Sequence, residues 1–126
     1  MLKEWINKAE DDLLAARMLM EHEEFPVSVV CFHCQQSAEK YFKAYLTFRE
    51  VEFPKIHDMI AILENYLIPL DITFSDIKQQ TVLLTDYAVK PRYPDFLIEL
   101  TVNDACEAYT ALMDIKNFII SKLSLS

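Results

Sequence analysis

The chain has 126 residues, 52% of them hydrophobic, which is too apolar for a disordered polymer and long enough for one domain with its own core. It contains no glycine, which excludes the phosphate-cradling P-loop and the GxGxxG dinucleotide fingerprint and disfavours tight hairpins. A net charge of −8 repels a phosphate backbone at long range, so any nucleic-acid contact has to be local. No apolar run approaches the roughly 20 residues that span a bilayer. The opening MLKEWINKAEDD is too charged for a signal peptide. Three cysteines, an odd number, point to reduced thiols and not to a disulfide framework. The expectation is a single soluble cytoplasmic domain spanning residues 1–126.

Residues 2–21 predict an amphipathic helix, with Leu2, Trp5, Ile6, Ala9, Leu13, Ala16 and Met20 at three- and four-residue spacing. Pro26 suits the first turn of a second helix, about 26–49. There Val27, Val30, Cys34, Ala38, Tyr41, Tyr45 and Phe48 share one apolar arc. Pro54 makes VEFPK a loop. His57 and Asp58 open a shorter helix through about residue 66, which Pro69 ends. A fourth helix runs from Ser75 or Asp76, as N-cap, to near Tyr87. AVKPRYPDF carries two prolines three apart and reads as an ordered loop. The last helix covers about 103–122. With no repeat, linker or low-complexity tract, the fold expected is all-α, an up-and-down bundle of four to five helices.

The Cys31-x-x-Cys34 pair invites a metal or redox reading, and projection on the helix argues against both. The two thiols sit about 60° apart inside the apolar arc, while His33 lies about 100° from Cys34 and about 160° from Cys31. A zinc site needs ligands that converge, and a redox CxxC sits at a helix N-terminus. These cysteines are read as core, and neither a metal nor a cofactor is expected. The same helix carries a polar stripe of His33, Gln36, Lys40 and Lys43, with Gln35 and Glu39 beside it and Phe32 and Leu46 interrupting it. Lys40 and Lys43 read either as a solvated face or as the wall of a groove. Asp12, with Asp11, is placed to pair with them across the bundle, and Trp5 reads as core or interface.

The run CQQSAEKYFKAYL, followed by IHDM and then KPRYPD, resembles the HEPN domain, and AEDDLLAARML resembles the first helix of that family. The likeness covers nearly the whole chain. It implies a helical bundle that commonly dimerises and, in many small prokaryotic members, pairs with a minimal nucleotidyltransferase in toxin–antitoxin or related modules. Other members are metal-independent ribonucleases with a late Arg-x4–6-His motif, and some bind nucleotides. Here Arg92 is followed by Tyr93, Pro94, Asp95, Phe96, Leu97, Ile98 and Glu99, and no histidine occurs after His57. Arg17 and His22 satisfy the spacing but point about 140° apart on the first helix.

The expectation is therefore a non-catalytic homodimeric binding module acting with a nucleotidyltransferase partner, and touching a nucleotide or RNA through a local basic cluster. Its candidate residues are Gln36, Lys40, Lys43, His57, Arg92, Tyr93 and Asp95. Prolines flanking Arg92 and Tyr93 pre-order that loop, so Arg92 can hold a bidentate contact at low entropic cost; Asp95 is its alternative structural partner. His57, at a helix start, reads either as a phosphate contact beside the free backbone N–H groups or as a helix cap or cross-bundle hydrogen bond. The alternatives are a ribonuclease whose displaced histidine, His57 or His33, reaches Arg92, and a purely structural helical interaction domain.

Overall fold

Apolar residues at three- and four-residue intervals, in a chain without glycine, favour helix throughout. The computed structural model describes residues 1–89 and 100–124, with Ala88 and Val89 as backbone alone, and contains only helices, turns and loops among them. Four long helices dominate: α1 (Leu2–Met20), α2 (Val27–Phe48), α5 (Lys78–Val89) and α6 (Val102–Ser124). Between α2 and α5 lie two short helices, α3 (Met59–Ile62) and α4 (Ile68–Leu70), joined by a π-helical turn, Leu63–Leu67. A 3-10 turn, Ile72–Ile77, leads into α5. No described helix is long and apolar enough to cross a membrane.

Side-chain bonds fix the directions. Tyr41 and His33 of α2 meet Glu10 and Asp12 of α1, so these helices are antiparallel. Lys116 and Tyr109 of α6 meet Glu10 and Arg17, and Tyr87 and Gln80 of α5 meet Glu107 and Asp114. The long helices therefore alternate up and down.

The centre of the bundle is α2, which packs most extensively on α1, then on α6 and α5. Close approach to α1 follows from small residues. Ala9, Ala16 and Ala38 are fully buried, and the Ser37 hydroxyl donates to the Ala9 carbonyl at 2.7 Å. Residues 41–46 are buried without exception. Phe74, from the 3-10 turn, fills the space between α2 and α6, with ring centroids 4.8 Å from Tyr45 and 4.9 Å from Phe118. Cys31 and Cys34 are fully buried core residues; burial pushes their thiols up to about 11 and about 12 respectively.

Several boundaries depart from the sequence reading. Pro69 does not end its helix at residue 66, because the chain passes through it to Leu70. Proline lacks the N–H that would close a regular turn, and the preceding π turn, with its i→i+5 pattern, absorbs the missing donor. The cap before α5 is Asp71, whose carboxylate accepts from the Thr73 N–H at 3.0 Å, in place of Ser75 or Asp76. Thr101 and Asp104 form a reciprocal capping box at the start of α6.

The end of α2 also shows how a chain without glycine stops a helix. Glu50 takes the left-handed conformation, φ +57°, that glycine usually supplies. The Val51 N–H bonds back to the Leu46 carbonyl and the Glu50 N–H to the Thr47 carbonyl, both at 3.0 Å. That is a Schellman motif carried by a glutamate.

Candidate functional site

Two carboxylates organise the polar side of α2. Asp12, from α1, accepts from His33 Nδ1 at 2.9 Å and from the Lys40 ammonium. His33 and Lys40 are seven residues apart, two helical turns, and so project from the same face to reach one acceptor. An Nδ1–H given to Asp12 leaves Nε2 as the free acceptor of the ring. All three side chains are partly covered, from 14% exposed for Asp12 to 28% for His33.

The second carboxylate, Glu39, is deeper. Its Oε2 accepts from Lys43 Nζ and from His57 Nδ1, each at 3.2 Å, while Oε1 is buried with no hydrogen-bond partner among the described residues. Lys43 is itself buried, and its ammonium lies 5.5 Å from the centroid of the Trp5 ring, a cation–π contact. The chain that leaves α2 returns over this point. Phe53 packs on Trp5 at 6.3 Å between centroids, and His57 descends to Glu39 with its outer edge in solvent. Lys43 is thus enclosed by tertiary packing and does not sit on a solvated face. His57 makes the cross-bundle bond, and the capping falls to Asp58, which accepts from the N–H groups of Ile60 and Ala61 at 3.0 and 3.2 Å.

Gln36 lies between the two carboxylate nodes and donates to Gln35 at 2.7 Å. Val29, Phe32, His33, Gln36, Lys40 and Lys43 fall within one arc of about 100° on α2. Toward the N-terminal end this arc is open: Phe32 is 47% and Val29 39% exposed. The structure therefore brings together Gln36, Lys40 and, through Glu39, Lys43 and His57. Arg92, Tyr93 and Asp95 lie outside the described residues. Among the described residues, no group of three or more His, Cys, Asp or Glu could hold a metal ion.

Sequence reasoning found the pairing of Asp12 with the basic stripe and missed three contacts: His33 with Asp12, Glu39 with His57, and Trp5 with Lys43. The seven-residue spacing of His33 and Lys40 signalled the first. The other two depend on a loop whose return path leaves no local trace. A third tie is purely structural: Glu10 accepts from Tyr41 at 2.7 Å and from Lys116, linking α1, α2 and α6. Burial and that carboxylate hold the Tyr41 phenol well above its ordinary range.

The HEPN domain family model matches residues 2–122. A Methanocaldococcus jannaschii protein named "Putative toxin MJ1304" is 30% identical, with the alignment covering 98% of this chain and 91% of that protein. The crystal structure of ST0689, an archaeal HEPN homologue, is similar with a TM-score of 0.75 at 29% identity, over 97% of each chain. TT1696 from Thermus thermophilus shares the fold with a TM-score of 0.78, over 96% of this chain and 97% of that one, at 23% identity.

Proposed function

The chain belongs to the HEPN domain family, and from that premise we propose that it is the binding module of a toxin–antitoxin-like pair, working as a homodimer with a minimal nucleotidyltransferase as its protein partner. The observation that carries this reading is the internal pairing of the α2 cations. Lys40 is held by Asp12 and Lys43 by Glu39. A cation already paired with a carboxylate of its own chain gains little from a phosphate, and the net charge of −8 opposes a polyanion at long range. What α2 exposes beside these pairs is Val29 and Phe32, with half-buried Gln36 next to them, an aromatic and apolar surface of the kind found in the cores of protein interfaces. Any nucleotide or RNA contact is secondary and local. The toxin name of the M. jannaschii relative supports membership in such a module.

Co-expression with the product of the adjacent reading frame tests the reading. The expected result is a complex with a nucleotidyltransferase that survives size-exclusion chromatography and is lost in Phe32→Asp. A Phe32→Asp chain that still co-purifies would remove this face from the interface. A neighbour of another class, together with no shift of the melting temperature by any nucleotide, would remove the module itself.

A second reading, a metal-independent ribonuclease, draws on one observation. Asp12 holds His33 by Nδ1 as a carboxylate holds a general base, with Lys40 on the same carboxylate. Freshly purified protein incubated with cellular RNA in EDTA decides it. Cleavage abolished by both His33→Gln and Arg92→Ala would establish the activity, and intact RNA would remove it.

A further inference from the structure

The apolar surface at the start of α2 continues onto α1. Leu14 and Met18 are 49% and 55% exposed, at least as open as Val29 and Phe32. The buried face of α1 is Ala9, Leu13 and Ala16. Met18 points about 170° away from the centre of that face, and Leu14 stands about 40° beside Met18. Bonds between the two antiparallel helices fix their relative level. His33 meets Asp12, and Ser37 meets the Ala9 carbonyl, so positions whose numbers sum to about 46 lie side by side. Met18 is therefore level with Val29, and Leu14 with Phe32. All four stand on the outside of one helical hairpin, in the half nearest its turn.

The charge around them selects the occupant. Between Lys8 and Lys40 the chain carries one cation, Arg17, whose Nε donates to Tyr109 on α6 at 3.0 Å. Of the acids in that stretch, Glu10, Asp12 and Glu39 are paired with lysines. Asp11, Glu21, Glu23 and Glu24 are exposed, and none of them enters an ion pair among the described residues. A nucleic acid or an anionic lipid surface meets repulsion here. So does a second copy of this chain. Pairing the α1 face with itself about a two-fold axis, Leu14 on Met18, would set Asp11 against Glu21. A cationic protein surface meets neither obstacle. We infer that the outer face of the α1–α2 hairpin docks a basic protein surface. Its apolar side chains would cover Leu14, Met18, Val29 and Phe32, and its Lys or Arg residues would face Glu21, Glu23 and Glu24. The inference rests on the reading of the α2 face as a protein interface, whatever the class of that protein.

Two probes test it against the full chain. One is the product of the adjacent reading frame. The other needs no such product: a helical peptide of leucine and lysine, compared with its leucine–glutamate counterpart. Affinity is read by titration and location by amide hydrogen exchange. Binding is expected to slow exchange around Leu14–Met18 and Val29–Phe32. It should weaken about tenfold in Glu21→Gln/Glu23→Gln/Glu24→Gln, and similarly in the uncharged Leu14→Ser/Met18→Ser, whose substituted side chains are exposed in the native fold. Raised salt should weaken it as well. A complex with the adjacent product that ignores salt and the glutamine variant overturns this inference and leaves the module reading standing. No complex with that product, but peptide protection of the hairpin, does the reverse. Equal protection by the leucine–glutamate peptide overturns the inference, as does peptide binding of unchanged strength in Leu14→Ser/Met18→Ser. Loss of a homodimer in that variant would give the face to a second copy and also overturn it.

Discussion

Glu39 and Lys43 form an ion pair one turn apart in the middle of α2, Nζ to Oε2 3.2 Å, with side chains only 2% and 7% exposed. Few positions in a small domain hold two opposite charges at such depth. The pair is tolerable because each member has a second partner: His57 for the carboxylate and the Trp5 ring for the ammonium. Removing one charge strands the other. Lys43→Met is expected to destabilise the fold by roughly 3–5 kcal/mol, and Glu39→Leu/Lys43→Met by far less, since the apolar pair leaves no buried charge. A double-mutant cycle by urea denaturation checks this; additive single-variant losses would contradict it.

Glu50 carries a backbone cost that no side-chain contact among the described residues explains. A non-glycine residue in the left-handed region costs roughly 1–2 kcal/mol, and glycine relieves it while giving back part of the gain through its freer unfolded chain. Glu50→Gly is therefore expected to raise stability by about 0.5–1 kcal/mol, and Glu50→Val to lower it. Thermal and urea midpoints of the two variants should move in opposite directions.

Acid sensitivity should be traceable in part to Asp71. Hydrogen bonds from Thr73 and then from Lys122 hold its carboxyl down at about 2, below the ordinary 3.8. A carboxyl with a depressed folded value contributes stability that is present above its unfolded value and lost as pH falls through the folded one. The contribution should fade between about pH 4 and pH 2. Asp71→Asn keeps a capping oxygen and removes the titration, so its urea midpoint should fall less steeply than the wild type's across that window. Parallel curves would assign the acid loss to other groups.

The thiols offer a direct check on the core. Native protein should expose one rapidly reacting cysteine, Cys106, while Cys31 and Cys34 stay silent, protected by burial and by thiols pushed up to about 11 and about 12. In denaturant all three should titrate with a thiol reagent. A second fast thiol in the native state would reopen the metal or redox reading of Cys31 and Cys34.

Helices α1, α2 and α6 were legible because their apolar residues keep one period for five or six turns. Projection onto that period also assigned Cys31 and Cys34 to the interior without any tertiary information. What escaped was set by contacts between segments. The π turn before Pro69 depends on which donor the proline lacks, and the Asp71 cap won over Ser75 and Asp76 through its bonds to Thr73. Lys43 looks from its neighbours like a surface lysine. It is buried because Phe53 and His57 return over it, and their place is decided by Trp5 and Glu39, far away in sequence. The pairing of Asp12 with Lys40 was readable because a carboxylate on α1 and the basic stripe of α2 face one another across the bundle, whereas the share of His33 in the same acceptor was not read.

The two ends of α2 have different surroundings, though they belong to one unbroken helix. Residues 41–46 have no solvent-facing member, whereas Val29 and Phe32 near the start stand in the open. Amides of the buried half should exchange with deuterium only when the whole domain opens, and those near the start should exchange through local fraying. A ligand seated on the first turns would then announce itself as slowed exchange there, while the far half stays as slow as before. The helix is a rod anchored at one half and exposed at the other, and the gradient of exchange along it would report a bound partner there without any change of shape.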